Sequence, residues 1–340
     1  MEPVEPPLVS FVMLHYRDVA AANALAAETV QAFGDSELII VDNSGDFTLR
    51  ADLEQNNIRI ITPGYNSGFA RGVNFGLRAA AGHYMALINQ DVTGIHAIRP
   101  LVEKLDKNRP EKTITGVRLL SAHGEFQQSI WPDYPTFSKE WKGSTFYSYF
   151  GGRENSETRQ KKIGDLHKES GRVERLNGAF LLFHRSLVDD DLLLWDEDFF
   201  LYGEDVEWAW RCNRAGRHFY YDSAVALGHV GSASSPDVSV KNLQVILSDF
   251  LFVAKTHNVF YTLFFLAFVR MSSAFDLFLL RRRGPQMDRA MWANRKMKVY
   301  LTRKYGWRLL GRHGHAHPQK FLFNCYENDQ AFAATLSNQG

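Results

Sequence analysis

The chain has 340 residues, 39 Lys+Arg against 38 Asp+Glu, a net charge of +1 and 45% hydrophobic residues. A chain of that length buries a large core in one big domain or two smaller ones, and a balanced charge gives no global argument for nucleic-acid binding. Two distant cysteines, Cys212 and Cys325, exclude a disulfide framework and a cysteine metal site, so a reducing cytosol is the default.

Met1 to Pro7 is acidic and proline-rich, without the basic and apolar regions of a signal peptide, so a cytoplasmic location is expected. Val9 to Leu14 reads as a buried strand and Val19 to Phe33 as an alanine-rich helix. Glu37 to Val41 is a second strand, closing on the turn cluster Asp42-Asn43-Ser44-Gly45-Asp46. Strands over Ile58–Ile61 and Tyr84–Ile88 alternate with helices over Phe69–Ala81 and Ile95–Asn108. The alternation predicts an α/β chain with a mostly parallel sheet flanked by helices, and ligands then sit outside the carboxyl ends of the strands. Asp42 and Asp91 both fall at such ends, which is a reason to place them in one site.

Residues 121–171 change character, with Trp131, Trp141, a Tyr/Phe cluster at 146–150 and a polar run at 151–162, and read as a variable, partly mobile insertion. Its aromatic part is a candidate to shape an acceptor site. Regular structure resumes at Arg172–Leu176 and Ala179–Phe183. The last third is helical, with a domain boundary expected between residues 1–238 and 239–340. Within it, Val259 to Leu280 is strongly apolar. At about 100° per residue, Thr262, Arg270, Ser273 and Asp276 share one side, and most phenylalanines lie elsewhere. A spanning helix needs about 20 largely uncharged residues, and Arg270 and Asp276 interrupt this one. An interfacial helix with a basic end at Arg281 to Arg283 fits the pattern, as does a helix docked on the rest of the protein.

The chemistry-bearing residues form four groups. Glu204 and Asp205 lie in Phe199-Phe200-Leu201-Tyr202-Gly203-Glu204-Asp205, between aromatics. A desolvated carboxyl there is a candidate general base, and acids at a helix start also act as caps. Trp208 and Trp210 follow; both suit packing, and a sugar ring would suit one of them. Asp91 ends Leu87-Ile88-Asn89-Gln90-Asp91; a hard divalent cation on a diphosphate needs only one or two protein oxygens, and an ordinary strand-end aspartate looks the same. His229 lies between glycines in Leu227-Gly228-His229-Val230-Gly231, where imidazole completes a metal shell or serves structure. Asn66-Ser67-Gly68-Phe69-Ala70-Arg71-Gly72-Val73-Asn74 leads into a helix whose amides and Arg71 can face a phosphate, unless Gly72 and Gly76 serve helix packing. No Walker lysine and no G-x-G-x-x-G occurs. His313, His315 and His317 alternate near the C-terminus, as a metal site or an exposed polar tail.

Taken in order, these segments resemble the family 2 inverting glycosyltransferases, in particular their rhamnosyltransferase-like branch. The matching pieces are Val9-Ser10, Ile39 to Ser44, Asn66 to Gly76, Leu87 to Asp91, Asn177-Gly178-Ala179, Asp198 to Asp205 and Gly228 to Ser232. The resemblance implies a GT-A fold with a C-terminal helical extension, and a dTDP- or UDP-linked sugar donor with dTDP-rhamnose favoured. It places Asp42, Asn66, Arg71, Asn89, Gln90 and Asp91 on the nucleotide sugar. Asp91 and His229 would hold Mg2+ or Mn2+, Asp205 would be the base with Glu204 second, and Asn177, Gly178 and Trp208 would meet the acceptor. The usual first acid of D-x-D is Asn89 here, and Leu14-His15-Tyr16-Arg17-Asp18 replaces the usual segment after the first strand. The implied partners are a glycan or lipid-linked acceptor in cell-surface polysaccharide synthesis and a peripheral contact with the inner face of the cell membrane. A catalytically silent sugar-nucleotide-binding or scaffold subunit is the alternative, against which Asp91, Asp205 and His229 stand.

Overall fold

The structure is a computed structural model that describes residues 8–108, 112–150, 161, 163–189, 194–231, 238–282, 288–311, 315–317 and 320–337. The polar run at 151–160 and residue 162, Ser232, Arg283 and His313 lie outside these residues. The chain divides into two units: Met1–Asp133, Gln160–Asp196 and Asp205–Ser234 form one, and Tyr134–Arg159, Glu197–Glu204 and Ser235–Gly340 the other.

The first unit is an α/β layer structure built on one mixed sheet. Its strands are β1 (Val9–His15), β2 (Glu37–Asp42), β3 (Ile58–Ile61), β4 (Tyr84–Asn89), β5 (Val92–Thr93), β6 (Thr113–Leu120), β7 (Phe126–Gln127), β8 (Gly171–Val173), β9 (Phe180–His184) and β10 (His218–His229). They lie in the order β3-β2-β1-β4-β9-β6-β10-β5, with β7 beside β6 and β8 beside β10. β3, β2, β1, β4, β6 and β10 run one way and the shorter β5, β7, β8 and β9 run against them, so the sheet is mostly parallel with antiparallel insertions. β1, β2 and β4 are buried almost throughout, as strands covered on both faces must be.

Helix α1 (Val19–Ala32) starts where the Asp18 carboxylate accepts the Ala21 N–H. Helix α2 (Gly68–Ala79) lies directly on β1. A Cβ at Gly72 would sit 2.4 Å from Leu14 Cδ1 and one at Gly76 2.3 Å from Val12 Cγ1. These two glycines therefore serve close helix–strand packing. The expected helix over Ile95–Asn108 opens as a 3-10 turn, Ile95–Ile98, before α3 (Arg99–Asn108).

Two central strands, β6 and β10, are not evident from pattern alone. β10 changes register against β6 between Asp222 and Ala226, which breaks its alternation. The stretch read as a mobile insertion is regular over its described part. It holds β7, a bridge from Ile130 to Leu176, and the helices Phe137–Lys142 and Thr145–Tyr149.

The second unit is helical, with long helices Val238–Thr256, Val259–Arg281 and Arg289–Leu310 and a two-stranded ribbon, His315–His317 with Lys320–Phe321. Its core includes Leu243, Leu247, Phe250, Phe265, Leu301 and Phe323. Asp329 is a buried junction in it, accepting from Tyr300 and Tyr305 hydroxyls at 2.6 and 2.7 Å and from Lys304 at 2.7 Å.

Candidate active site

The carboxyl ends of the parallel strands gather most of the chemistry-bearing residues. β4 ends at Asn89 and carries Asp91 just beyond it, and β10 ends at His229. β5 pairs with the end of β10, His229 opposite Val92, and so brings Asp91 to the histidine. His229 Nε2 lies 3.5 Å from Asp91 Oδ1, while Asp91 Oδ2 accepts the Gly231 N–H at 2.8 Å.

Gln127, from β7, decides which nitrogen of His229 carries the proton. Its amide nitrogen donates to the His229 carbonyl at 2.8 Å, a partner that can only accept. Its Oε1 therefore faces His229 Nδ1 at 2.9 Å and accepts a hydrogen bond from the Nδ1–H, which keeps the proton on that nitrogen. The neutral ring then turns the Nε2 lone pair toward Asp91. Two electron-rich donors face one another, an arrangement suited to a cation. Burial holds the His229 pKa below the usual histidine range, and Asp91 pulls the other way. A neutral imidazole is the ligating form.

Asp205 belongs to the same sheet edge. β9 runs antiparallel to β4, so its start lies at β4's carboxyl end, where the Asn89 N–H donates to the Ala179 carbonyl at 2.9 Å. A Cβ on Gly178 would lie 3.7 Å from Asp205 Cβ. Asp205 stands in the first turn of the helix Glu204–Arg214 and its Oδ1 accepts the Val206 N–H at 2.9 Å. Tyr202 and Gly203 precede it with φ of 64° and 81°, and a left-handed tyrosine is a strained conformation. Desolvation raises the Asp205 pKa above the usual carboxylate range, and the nearby Arg175 charge opposes that rise. Arg175 is itself fixed, donating to the Asp133 carbonyl at 2.9 Å. Neither Gln127 nor Arg175 stands in a recognisable motif; Gln127 is found through its contact with His229 and Arg175 through its charge near Asp205.

A second cluster sits at the ends of β1 and β2. His15, Asp42 and Asp46 bring ligand atoms within 4.8 Å of one another. Most of their polar atoms already have protein partners, and the Asp46 side chain is 48% exposed. His15 contacts Gln90 Oε1 at 2.9 Å and Asp46 Oδ1 at 3.0 Å, and Asp42 accepts N–H groups of Ser44, Gly45 and Phe47. This set is a closed turn network, and the Asp91–His229 pair is the better fit for a divalent ion.

Several predicted contacts take a different form. Asp42 is buried and its carboxylate shapes the loop at 43–47. Gln90 bridges His15 and the Tyr16 backbone, accepting its N–H and donating to its carbonyl, both at 3.0 Å. Asn66 Oδ1 accepts from Asn43 and from the Gly68 N–H, and Asn177 Oδ1 accepts the Ala179 N–H. Arg71 is only 6% exposed. Trp208 requires a correction: it is 1% exposed, stacked on Trp195 at 5.3 Å and packed on Phe183 and Phe219, so it fills the core and meets no acceptor. Glu204 is buried in the second unit.

Residues 20–167 match the family model Glycosyl transferase family 2. No curated protein matches the chain. Among solved structures it is similar to GalNAc-T7 with UDP, GalNAc and Mn2+, at 13% identity and a TM-score of 0.47, over 74% of this chain and 51% of that one. It is also similar to the Pyrobaculum calidifontis mannosyltransferase PcManGT in complex with GDP-Man and Mn2+, at 12% identity and a TM-score of 0.46, over 99% of this chain and 80% of that one. A third is S. aureus TarS, at 14% identity and a TM-score of 0.43, over 72% and 39%. The chain spans about half the length of GalNAc-T7.

Proposed function

We propose that the chain, through its glycosyl transferase family 2 domain, is a metal-dependent inverting glycosyltransferase that moves a sugar from a nucleotide-diphosphate donor to an acceptor hydroxyl. The observation that carries the reading is the Asp91–His229 pair, oriented by Gln127, at the same sheet edge as a desolvated Asp205.

Asp205 takes the proton of the acceptor hydroxyl, and that oxygen attacks the anomeric carbon on the face opposite the nucleotide. The bond from that carbon to the diphosphate oxygen breaks with its electron pair, and the configuration inverts. Tyr202 and Gly203 lead into the helix bearing Asp205, and the Arg175 charge opposes the rise that burial gives the Asp205 pKa. Asp91 and His229 are the residues that would hold Mg2+ or Mn2+, which when bound offsets charge on the diphosphate leaving group. In this reading the loop held by Asp42 takes the nucleoside. The finer donor assignment, a rhamnose linked to dTDP, rests on the resemblance of the segments Asn66 to Gly76 and Asn89-Gln90-Asp91, and a cell-surface glycan or glycolipid acceptor on the resemblance of the whole set.

A donor screen tests this reading, with nucleotide sugars, Mg2+ or Mn2+, and acceptor glycans, for wild type, Asp205→Asn and Asp91→Ala. Metal-dependent turnover that drops about 10²–10⁴-fold in Asp205→Asn supports it. Equal turnover in all three proteins sinks it.

A further inference from the structure

The helix Val259–Arg281 in the second unit is apolar on its exposed side as well as on its buried one. Its buried stripe carries Thr262, Ser272, Ser273 and Asp276 among apolar neighbours. Each turn of the opposite stripe exposes an apolar side chain: Phe260 at 82%, then Leu263, Phe264, Met271 at 58%, Phe275 and Phe278. These positions recur at i, i+3, i+4, i+11, i+15 and i+18, one face of an α-helix.

Three of the buried polar groups have partners inside the protein. Thr262 donates to the Asn258 carbonyl at 3.0 Å and Ser272 to the Val269 carbonyl at 3.3 Å. Asp276, the helix's one acid, pairs with Arg295 of the following helix at 2.8 Å. Phe137 meets Phe264 and Phe268 at an angle and Phe146 stacks on Phe275, so these rings cover part of Phe264 and Phe275 and leave both exposed. A contiguous apolar face of this kind marks an interaction surface.

Charge selects the occupant. The exposed residues of the helix include Arg270, Arg281 and Arg282 and no acid. Arg282 lies over the Phe278 ring, 4.3 Å from its centroid, with its charged head beside the apolar stripe. A second copy of this face offers no carboxylate to pair with these cations across a two-fold axis. A lipid surface with anionic headgroups offers both an apolar layer for the phenylalanines and negative charge for the arginines. Among the described residues this is the one helix long and apolar enough to cross a membrane, but its buried ion pair and packed side fit a helix lying in the interface. We propose that the Phe260–Phe278 stripe docks the protein on an anionic lipid bilayer, with Arg270, Arg281 and Arg282 among the headgroups. This proposal is independent of the transferase reading.

The test is co-sedimentation of the full chain with vesicles of phosphatidylcholine plus phosphatidylglycerol, and with phosphatidylcholine alone. Wild type is expected to pellet with the anionic vesicles, less so as salt rises. Phe260→Ser with Met271→Ser, at exposed positions that leave the core intact, should weaken binding roughly tenfold or more. Arg281→Gln with Arg282→Gln should reduce binding to the anionic vesicles and leave any binding to neutral ones unchanged. Circular dichroism and thermal melting check that the variants fold. No pelleting of wild type, equal pelleting of folded variants, or a dimer that Phe260→Ser with Met271→Ser dissolves and that binds no vesicle would each overturn the proposal.

Discussion

Gln127 clamps both ends of His229, accepting from its ring at 2.9 Å and donating to its backbone carbonyl at 2.8 Å. The clamp leaves Nε2 unprotonated and aimed at Asp91, so the pair is preorganised for a cation before one arrives. Gln127→Leu removes the acceptor that holds the proton on Nδ1. Its metal affinity should fall about 10–100-fold, the usual effect of losing a partner that orients a ligand. Titration of Mn2+ by electron paramagnetic resonance measures this without turnover. Gln127→Glu keeps an acceptor at that place and should retain more affinity than the leucine variant; the reverse order would refute the role given to Gln127.

With Asp205 as the base of the proposed reaction, Asp205 and Arg175 should set its pH dependence. The Asp205 carboxyl titrates above the ordinary aspartate range because burial disfavours its charge, and only the ionised form can accept a proton. The acid limb of kcat/KM should therefore lie above that range. Arg175→Met withdraws the charge that lowers the pKa, and the limb should move higher still. A limb that moves down, or does not move, would separate Arg175 from the base.

The same shift has a consequence for stability. The folded protein holds the Asp205 proton to a higher pH than the unfolded chain does, so this group's contribution declines as pH rises through the folded pKa. Asp205→Asn has no such loss. It should melt higher than wild type at neutral pH, and the difference should shrink below the ordinary aspartate pKa. Parallel melting curves at both pH values would contradict this.

The N-terminal strands and helices are legible because their apolar runs are short, bounded by turn residues and correctly alternating. Asp91 and His229 are legible as chemistry-bearing residues, though their pairing needs the antiparallel β5 against the end of β10. Gln127 and Arg175 are hidden because their roles come from strand pairing and from proximity to Asp205, which no local pattern encodes. Trp208 reads in sequence as packing first and as a platform second, and its packing on Trp195 agrees with the first. Asp42 and Gln90 stand at the expected strand ends, yet loop hydrogen bonds occupy their side chains. In the Val259–Arg281 helix the period is visible in sequence. Which stripe faces inward depends on Arg295, contributed from outside the helix.

Gly76 tests whether α2 is a packing helix. A methyl group there would lie 2.3 Å from Val12 Cγ1 and 3.4 Å from Val41 Cγ2, two β-branched side chains of central strands with little freedom to move. The helix must shift outward or β1 must yield, and overpacking of this kind costs about 1–3 kcal/mol. At an exposed helical site the same change gains helix propensity, so the sign of the effect is diagnostic. Gly76→Ala should lower the denaturation midpoint with an unchanged slope in urea. Gly306, in the helix Arg289–Leu310, has nothing within 4 Å of its added Cβ and serves as the control. Gly306→Ala should be neutral or stabilising. A stabilised Gly76→Ala would show that α2 does not rest on β1 through this glycine.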